Sequence, residues 1–313
     1  MSDLSYLQAV TIGALQGVTE LFPVSSLGHS VLVPAWIGGS WQHLVTENAS
    51  GDSGASPYLA FVVALHVATA LALVVYFRKD WVAVVGALFT TLRTRRVNTS
   101  TERLAWLLVV GTIPVGITGL ALEHTFRTLF AKPEAAAAFL TVNGVILYAG
   151  ERLRRGAEVR AAAAEPELSA GPGAATEGDI QARAPKRRLD TLDYREAGVI
   201  GLFQTLALLA GISRSGITMV GGLLRGLDHE DAAKFSFLLA TPVILAAGLL
   251  KLPSLAGSAG DHIHGQVAVG FLTAGVCAYA SVRFLSRWFT TRTLTPFAIY
   301  CLVAGAGSMI WFA

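Results

Sequence analysis

Within ten positions, Glu20, Pro23, Ser25, Ser26, Gly28 and His29 place an acid, a helix breaker, two hydroxyls and an imidazole inside an otherwise apolar segment, 4–37. Such groups are too costly to face lipid, so they must line a cavity or a protein interior. A second apolar segment, 196–226, is interrupted by Ala210-Gly211 and carries Ser213-Arg214-Ser215-Gly216 and Thr218. Free backbone N–H groups at a helix start, hydroxyls and a guanidinium together suit an oxyanion, above all a phosphate. Arg214 is the natural clamp. A guanidinium at that depth needs an anionic partner, either Glu20 or a bound ligand; the competing reading has it snorkel to the headgroups.

Ser25, Ser26, Ser213 and Ser215, taken singly, also suit helix caps. Gln16 and Glu20 are four apart and share a helical face, so an amide and a carboxylate can point together at a phosphate-bound divalent ion, at a hydroxyl, or at another helix. His29, nine residues past Glu20, is placed to face the same cavity as a proton carrier or phosphate partner. His66 lies mid-span with no evident partner, and His43, His124, His229, His262 and His264 fall in loops without metal-ligand spacing.

The elements that must hold these groups are membrane helices. The chain is 53% hydrophobic and 14% charged, with a mean hydropathy of +0.55, well to the apolar side of soluble domains. Six stretches reach the length of about 20 residues that a span requires: 57–77, 104–122, 133–150, 235–252, 266–286 and 294–313. A shorter one, Trp81–Leu92, lies between Arg78-Lys79 and Arg93-Arg95-Arg96 and reads as an interfacial helix. The opening residues lack a basic leader and a cleavage site, so they are expected to belong to the mature fold. Cys277 and Cys301 sit in spans without redox or metal spacing. The net charge of +3 is gathered in loops, which excludes a nucleic-acid surface.

Loops 93–103, 151–195 and 287–292 hold most of the Arg and Lys, whereas 38–56 and 253–265 hold none, which places the first set in the cytoplasm. Residues 156–186, rich in Ala, Gly, Pro, Glu and Arg, read as a disordered cytoplasmic linker. The expected fold is an all-α polytopic membrane protein, 1–313, forming one integral membrane domain. Its halves, 1–150 and 196–313, each begin with a re-entrant helical hairpin and continue with three spans. An odd number of spans turns the second half upside down, giving an inverted-topology repeat. One offset of 188 residues relates Gly13 to Gly201, Gln16 to Gln204, Ser25 to Ser213 and Gly28 to Gly216. The hairpin turns are expected at Pro23 to Ser26 and Ser213 to Gly216.

The run Gln16-Gly-Val-Thr-Glu20-Leu-Phe-Pro-Val-Ser-Ser26-Leu-Gly-His29 resembles the glutamate-rich signature of the bacitracin-resistance (BacA/UppP-type) undecaprenyl pyrophosphate phosphatases. Gly211-Ile-Ser-Arg214-Ser-Gly-Ile-Thr218 is similar to that family's second signature, and the Phe-Ser-Phe-Leu-Leu-Ala-Thr-Pro run at 235–242 and Pro296-Phe-Ala-Ile-Tyr300 also resemble it. The chain departs from the pattern with Gln16, where Glu is frequent, and with Ala210, where Pro is usual. The resemblance implies removal of the terminal phosphate of undecaprenyl pyrophosphate at the outer face of the bacterial plasma membrane, and dependence on a divalent cation, Mg²⁺ or Ca²⁺.

On that reading Glu20, Ser26, His29 and Arg214 form the catalytic set. Gln16, Ser25, Ser213, Ser215 and Thr218 bind substrate, and Glu20, with Gln16 as a second donor, is the metal ligand. Ser26 attacks phosphorus; a phosphohistidine at His29 and direct attack by water remain open. Expected partners are the lipid substrate, membrane lipids and a second copy in a homodimer. The rival class is an inverted-repeat transporter or flippase for phosphate or a polyprenyl phosphate.

Overall fold

The computed structural model describes residues 4–41, 57–129, 132–164, 187–255 and 263–313. Among them the chain forms helices and two short 3₁₀ turns, with no β-strand. The helices are α1 (Tyr6–Thr19), α2 (Ser26–Ile37), α3 (Pro57–Tyr76), α4 (Arg78–Thr94), α5 (Ser100–Leu129) and α6 (Pro133–Ala164). They continue with α7 (Tyr194–Thr205), α8 (Arg214–Leu223), α9 (His229–Leu255), α10 (His264–Trp288) and α11 (Thr295–Phe312). The protein is a polytopic all-α membrane protein.

The six stretches read as spans all fall in helices: α3, α5, α6, α9, α10 and α11. By length and apolarity alone four can cross a bilayer, in α5, α9, α10 and α11, or five if α3 and α4 count as one bent span. Glu134 and Asn143 dilute the apolar stretch of α6. α4 leaves α3 at 88°. Val82 and Phe89 on it are more than 70% exposed. α6 runs to Ala164, so 156–164 are helical rather than linker; 165–186 lie outside the described residues.

Each hairpin starts from a capping box. Ser5 and Gln8 close it on α1, Asp193 and Glu196 on α7, in each case satisfying two backbone donors that a helix start leaves open. α1 then packs along α10 and α7 along α5. Both contacts depend on absent side chains. A Cβ on Gly13 would stand 2.6 Å from the Gly270 carbonyl oxygen, and one on Gly201 would stand 2.3 Å from that of Gly111. α6 lies along α11, and α3 lies against α9 and α10. This frame brings the hairpin tips together.

Candidate active site

The two hairpin tips meet at a pair of helix starts. α1 ends at Thr19, and the chain turns through residues 20–25 to Ser25, the N-cap of α2, whose Oγ accepts from Gly28 N at 3.2 Å. In the second hairpin a 3₁₀ turn, Leu206–Leu208, leads to Ser213, the N-cap of α8, whose Oγ accepts from Gly216 N at 3.2 Å. Helix therefore begins at Arg214, and the second turn lies at residues 209–212, ahead of the expected Ser213 to Gly216. A serine cap needs only the next three residues to become helical.

Close contact between the tips requires special backbone. Ser25 adopts φ 70°, a region disfavoured for a side-chain-bearing residue and held only by its surroundings. Its Oγ also accepts from Gly211 N at 3.1 Å, tying one hairpin to the other. Gly211 has φ 117°, and a Cβ there would lie 2.5 Å from the Ala136 carbonyl oxygen. Gly211→Ala therefore combines backbone strain with overpacking against α6. It is expected to cost about 2–4 kcal/mol, read as a lower Tm of the detergent-solubilised protein with loss of activity.

Asn143, in the middle of α6 and fully buried, holds both turns. Its Nδ2 donates to the Pro23 carbonyl at 3.1 Å and its Oδ1 accepts from Ser213 N at 3.0 Å. Ser215 adds a tie, its hydroxyl donating to the Phe22 carbonyl at 3.2 Å.

At the junction Glu20 is the hub. Its Oε1 accepts from Arg214 Nη2 at 2.7 Å. Its Oε2 accepts from Ser26 Oγ at 2.5 Å and from Gln16 Nε2 at 3.1 Å. His66 Nε2 stands 3.5 Å from the same Oε2. An acid, a hydroxyl and a guanidinium from two hairpins thus form one cluster, as the residue types predicted. Ser26 and Arg214 are the first residues of α2 and α8, so the backbone donors of both helix starts and the positive ends of both dipoles gather around them.

Glu20, Ser25, Ser26, His66, Ser213 and Arg214 line a cavity of about 310 Å³. Its remaining wall is apolar apart from Gln204, supplied by α2, α3, α5, the second hairpin and α9. Two buried atoms here have no hydrogen-bond partner among the described residues, Arg214 Nη1 and Gln204 Oε1. An unpaired donor on a cation at such a wall favours an incoming anion.

Four expected site residues are placed elsewhere. The His29 ring is turned away from the cavity: Nδ1 meets the Ser25 carbonyl at 2.7 Å and Nε2 meets the Tyr300 hydroxyl at 2.7 Å. It also stacks on the Tyr300 ring. The carbonyl can only accept, so Nδ1 carries the hydrogen and Nε2 accepts from tyrosine. His29 braces the strained Ser25 from behind. Ser215 is spent on Phe22, and Thr218 donates to the Arg214 carbonyl one turn back, at 2.7 Å. Gln16 orients Glu20 and is not part of the cavity wall.

The expected metal site does not fit these donors. Glu20 already receives Arg214, Ser26 and Gln16, and Gln16 presents its amide nitrogen, not its oxygen. Among the described residues no three His, Cys, Asp or Glu side chains converge as ligands. Neither Glu20 nor Gln16 is therefore assigned to a metal.

His66 and Asn143 are residues the motifs did not supply, and Tyr300 lay in the Pro296 to Tyr300 run without a role assigned to it. The first two carried a signal all the same, a polar side chain in the middle of an apolar helix.

Comparison with known proteins gives concordant matches. A family model described as "Bacitracin resistance protein BacA" matches residues 9–307. "Undecaprenyl-diphosphatase 2" of Frankia alni (strain DSM 45986 / CECT 9034 / ACN14a) is 67% identical, covering 100% of this chain and 99% of that protein. "Undecaprenyl-diphosphatase" of Mycolicibacterium paratuberculosis (strain ATCC BAA-968 / K-10) is 60% identical, with the same coverage. "Undecaprenyl-diphosphatase" of Granulibacter bethesdensis (strain ATCC BAA-1260 / CGDNIH1) is 41% identical, covering 99% of this chain and 98% of that protein.

Proposed function

The chain belongs to the bacitracin resistance protein BacA family, and from that premise we propose that it is an undecaprenyl-diphosphatase, releasing the terminal phosphate of undecaprenyl pyrophosphate. The observation that carries this reading is the Ser26 hydroxyl 2.5 Å from Glu20 Oε2, with Arg214 on the other oxygen of the same carboxylate. A nucleophile, its base and a cation stand at one cavity wall, the arrangement covalent phosphoryl transfer needs.

The apolar wall receives the isoprenoid chain, and the pyrophosphate occupies the polar end. Arg214 Nη1 and the open backbone donors of α2 and α8 take its oxygens. Ser26 Oγ attacks the terminal phosphorus as the bond from that phosphorus to the bridging oxygen breaks, and the electron pair leaves with the lipid phosphate. Glu20 Oε2 takes the hydroxyl proton. Water then attacks the phosphoserine, releasing inorganic phosphate and restoring the hydroxyl. A phosphohistidine is disfavoured, because both His29 ring nitrogens are engaged away from the cavity. The divalent ion of the resemblance, Mg²⁺ or Ca²⁺, is on this reading a counter-ion of the pyrophosphate.

The protein acts in the bacterial plasma membrane, with the cavity open to the outer face and the Arg-rich loops inside. Its halves form an inverted repeat. The capping boxes at Ser5 and Asp193, the capping serines at Ser25 and Ser213 and the close approaches at Gly13 and Gly201 support this, because all share the offset of 188 residues.

The direct test is phosphate release from undecaprenyl pyrophosphate by the purified full chain, with and without chelator. Sustained release is expected. Binding without release would favour the transporter, a reading the names of the relatives do not favour.

A further inference from the structure

Building on the hydrolase reading, we propose that His66 is a further catalytic residue, a proton relay that takes from Glu20 the proton of Ser26 and passes it to the departing lipid phosphate. Three observations carry it. His66 Nδ1 lies 2.8 Å from the Val62 carbonyl, one turn back on α3. That oxygen only accepts, so Nδ1 holds a hydrogen and the neutral ring has its lone pair on Nε2. Nε2 in turn stands 3.5 Å from Glu20 Oε2, the oxygen that meets the Ser26 hydroxyl at 2.5 Å. Finally, the side chain lines the cavity and is 22% exposed, so its proton has a way out.

The charged groups around it are few. Glu20, just after α1, and Arg214, on α8, face the same cavity. α9 adds only Val243, Ile244, Ala247 and Gly248 to the wall, and α10 adds nothing. Without His66 a proton reaching Glu20 Oε2 would stay beside the Arg214 charge on the same carboxyl group, which repels it. With His66 the route runs from Ser26 Oγ to Glu20 Oε2 to His66 Nε2. As Ser26 Oγ bonds to the terminal phosphorus, the electron pair of the broken bond leaves on the former bridging oxygen. The proton follows from His66 to the departing lipid phosphate, since a phosphate monoester has its second ionisation near pH ~6. In the second step the proton of the attacking water restores Ser26, so the cycle balances.

The test is kcat and KM for phosphate release from undecaprenyl pyrophosphate by the full chain and by His66→Gln, which keeps a polar side chain but cannot pass a proton on. Expected is a fall in kcat on the order of a hundredfold in the variant with KM little changed. Unchanged kcat, or a loss carried by KM instead, overturns the proposal while leaving the hydrolase reading standing. Absence of release by the wild type overturns both. Should His66→Gln not fold, His66→Asn serves as the second variant; should neither fold, the role of His66 is structural and the proposal is overturned.

Discussion

Replacing Ser26 with alanine is expected to cut phosphate release from undecaprenyl pyrophosphate at least a hundredfold, about 2.7 kcal/mol in the barrier, while the protein folds and binds lipid pyrophosphate as before. The loss follows from chemistry. Ser26 is the hydroxyl on Glu20 in this cavity, and without it no phosphoserine can form. The fold survives for three reasons. Alanine is favourable in a first helical turn, the N-cap is Ser25 and stays in place, and the Glu20–Arg214 ion pair remains. Phosphate release measured beside lipid binding separates the outcomes. Near-normal release by Ser26→Ala would transfer the attack to water, with Glu20 as its base and Ser26 reduced to a phosphate ligand.

How much of this was legible in the sequence depended on whether the signal was local. Helix positions followed from apolar runs bounded by charge, and the break at each hairpin tip followed from polar residues that lipid could not accept. The turn between α7 and α8 was placed too late, because Ser213 to Gly216 looks like a loop in composition while a serine cap makes it the first turn of a helix. The union of Glu20 with Arg214 was inferable from charge alone, since each needed an opposite partner at depth. The direction of the His29 ring was not, because nine residues of spacing across a turn set no orientation, and its partner Tyr300 lies on the last helix. His66 was the converse. A lone imidazole mid-span has no partner in its own segment, and only the packing of α1 against α3 brings Glu20 to it.

The same distinction explains why several hydroxyls with the right chemistry do other work. Ser25, Ser215 and Thr218 sit in the signatures beside the reacting groups, yet their oxygens join one hairpin to the other or bond within their own helix. Irregular backbone at membrane depth exposes donors and acceptors that lipid cannot satisfy, and nearby side chains of the hairpins meet that need, with Asn143 from α6. Ser26 and Arg214 differ because they open their helices on the cavity side. On the proposed mechanism, position in the first turn, more than residue type, selects them for chemistry.

Arg214→Ala is expected to reduce phosphate release at least a hundredfold and, unlike Ser26→Ala, also to destabilise the protein. The guanidinium pairs with Glu20 through Nη2 at 2.7 Å, and on the proposed mechanism its unpartnered Nη1 takes the incoming phosphate. Its removal leaves the buried Glu20 carboxylate without its cation, and breaking a buried pair on one side costs on the order of 3–5 kcal/mol. Two companion variants separate these effects. Arg214→Lys keeps a charge for Glu20 but loses the planar fork that reaches two anions at once, so stability should largely return while kcat stays low. Glu20→Gln combined with Arg214→Ala removes both charges, so the thermal midpoint should recover toward the wild type with no recovery of activity. If Arg214→Ala released phosphate at a near-normal rate, the clamp would be wrong. If Arg214→Lys restored full activity, charge alone would suffice, and the fork geometry would have no part in holding the pyrophosphate.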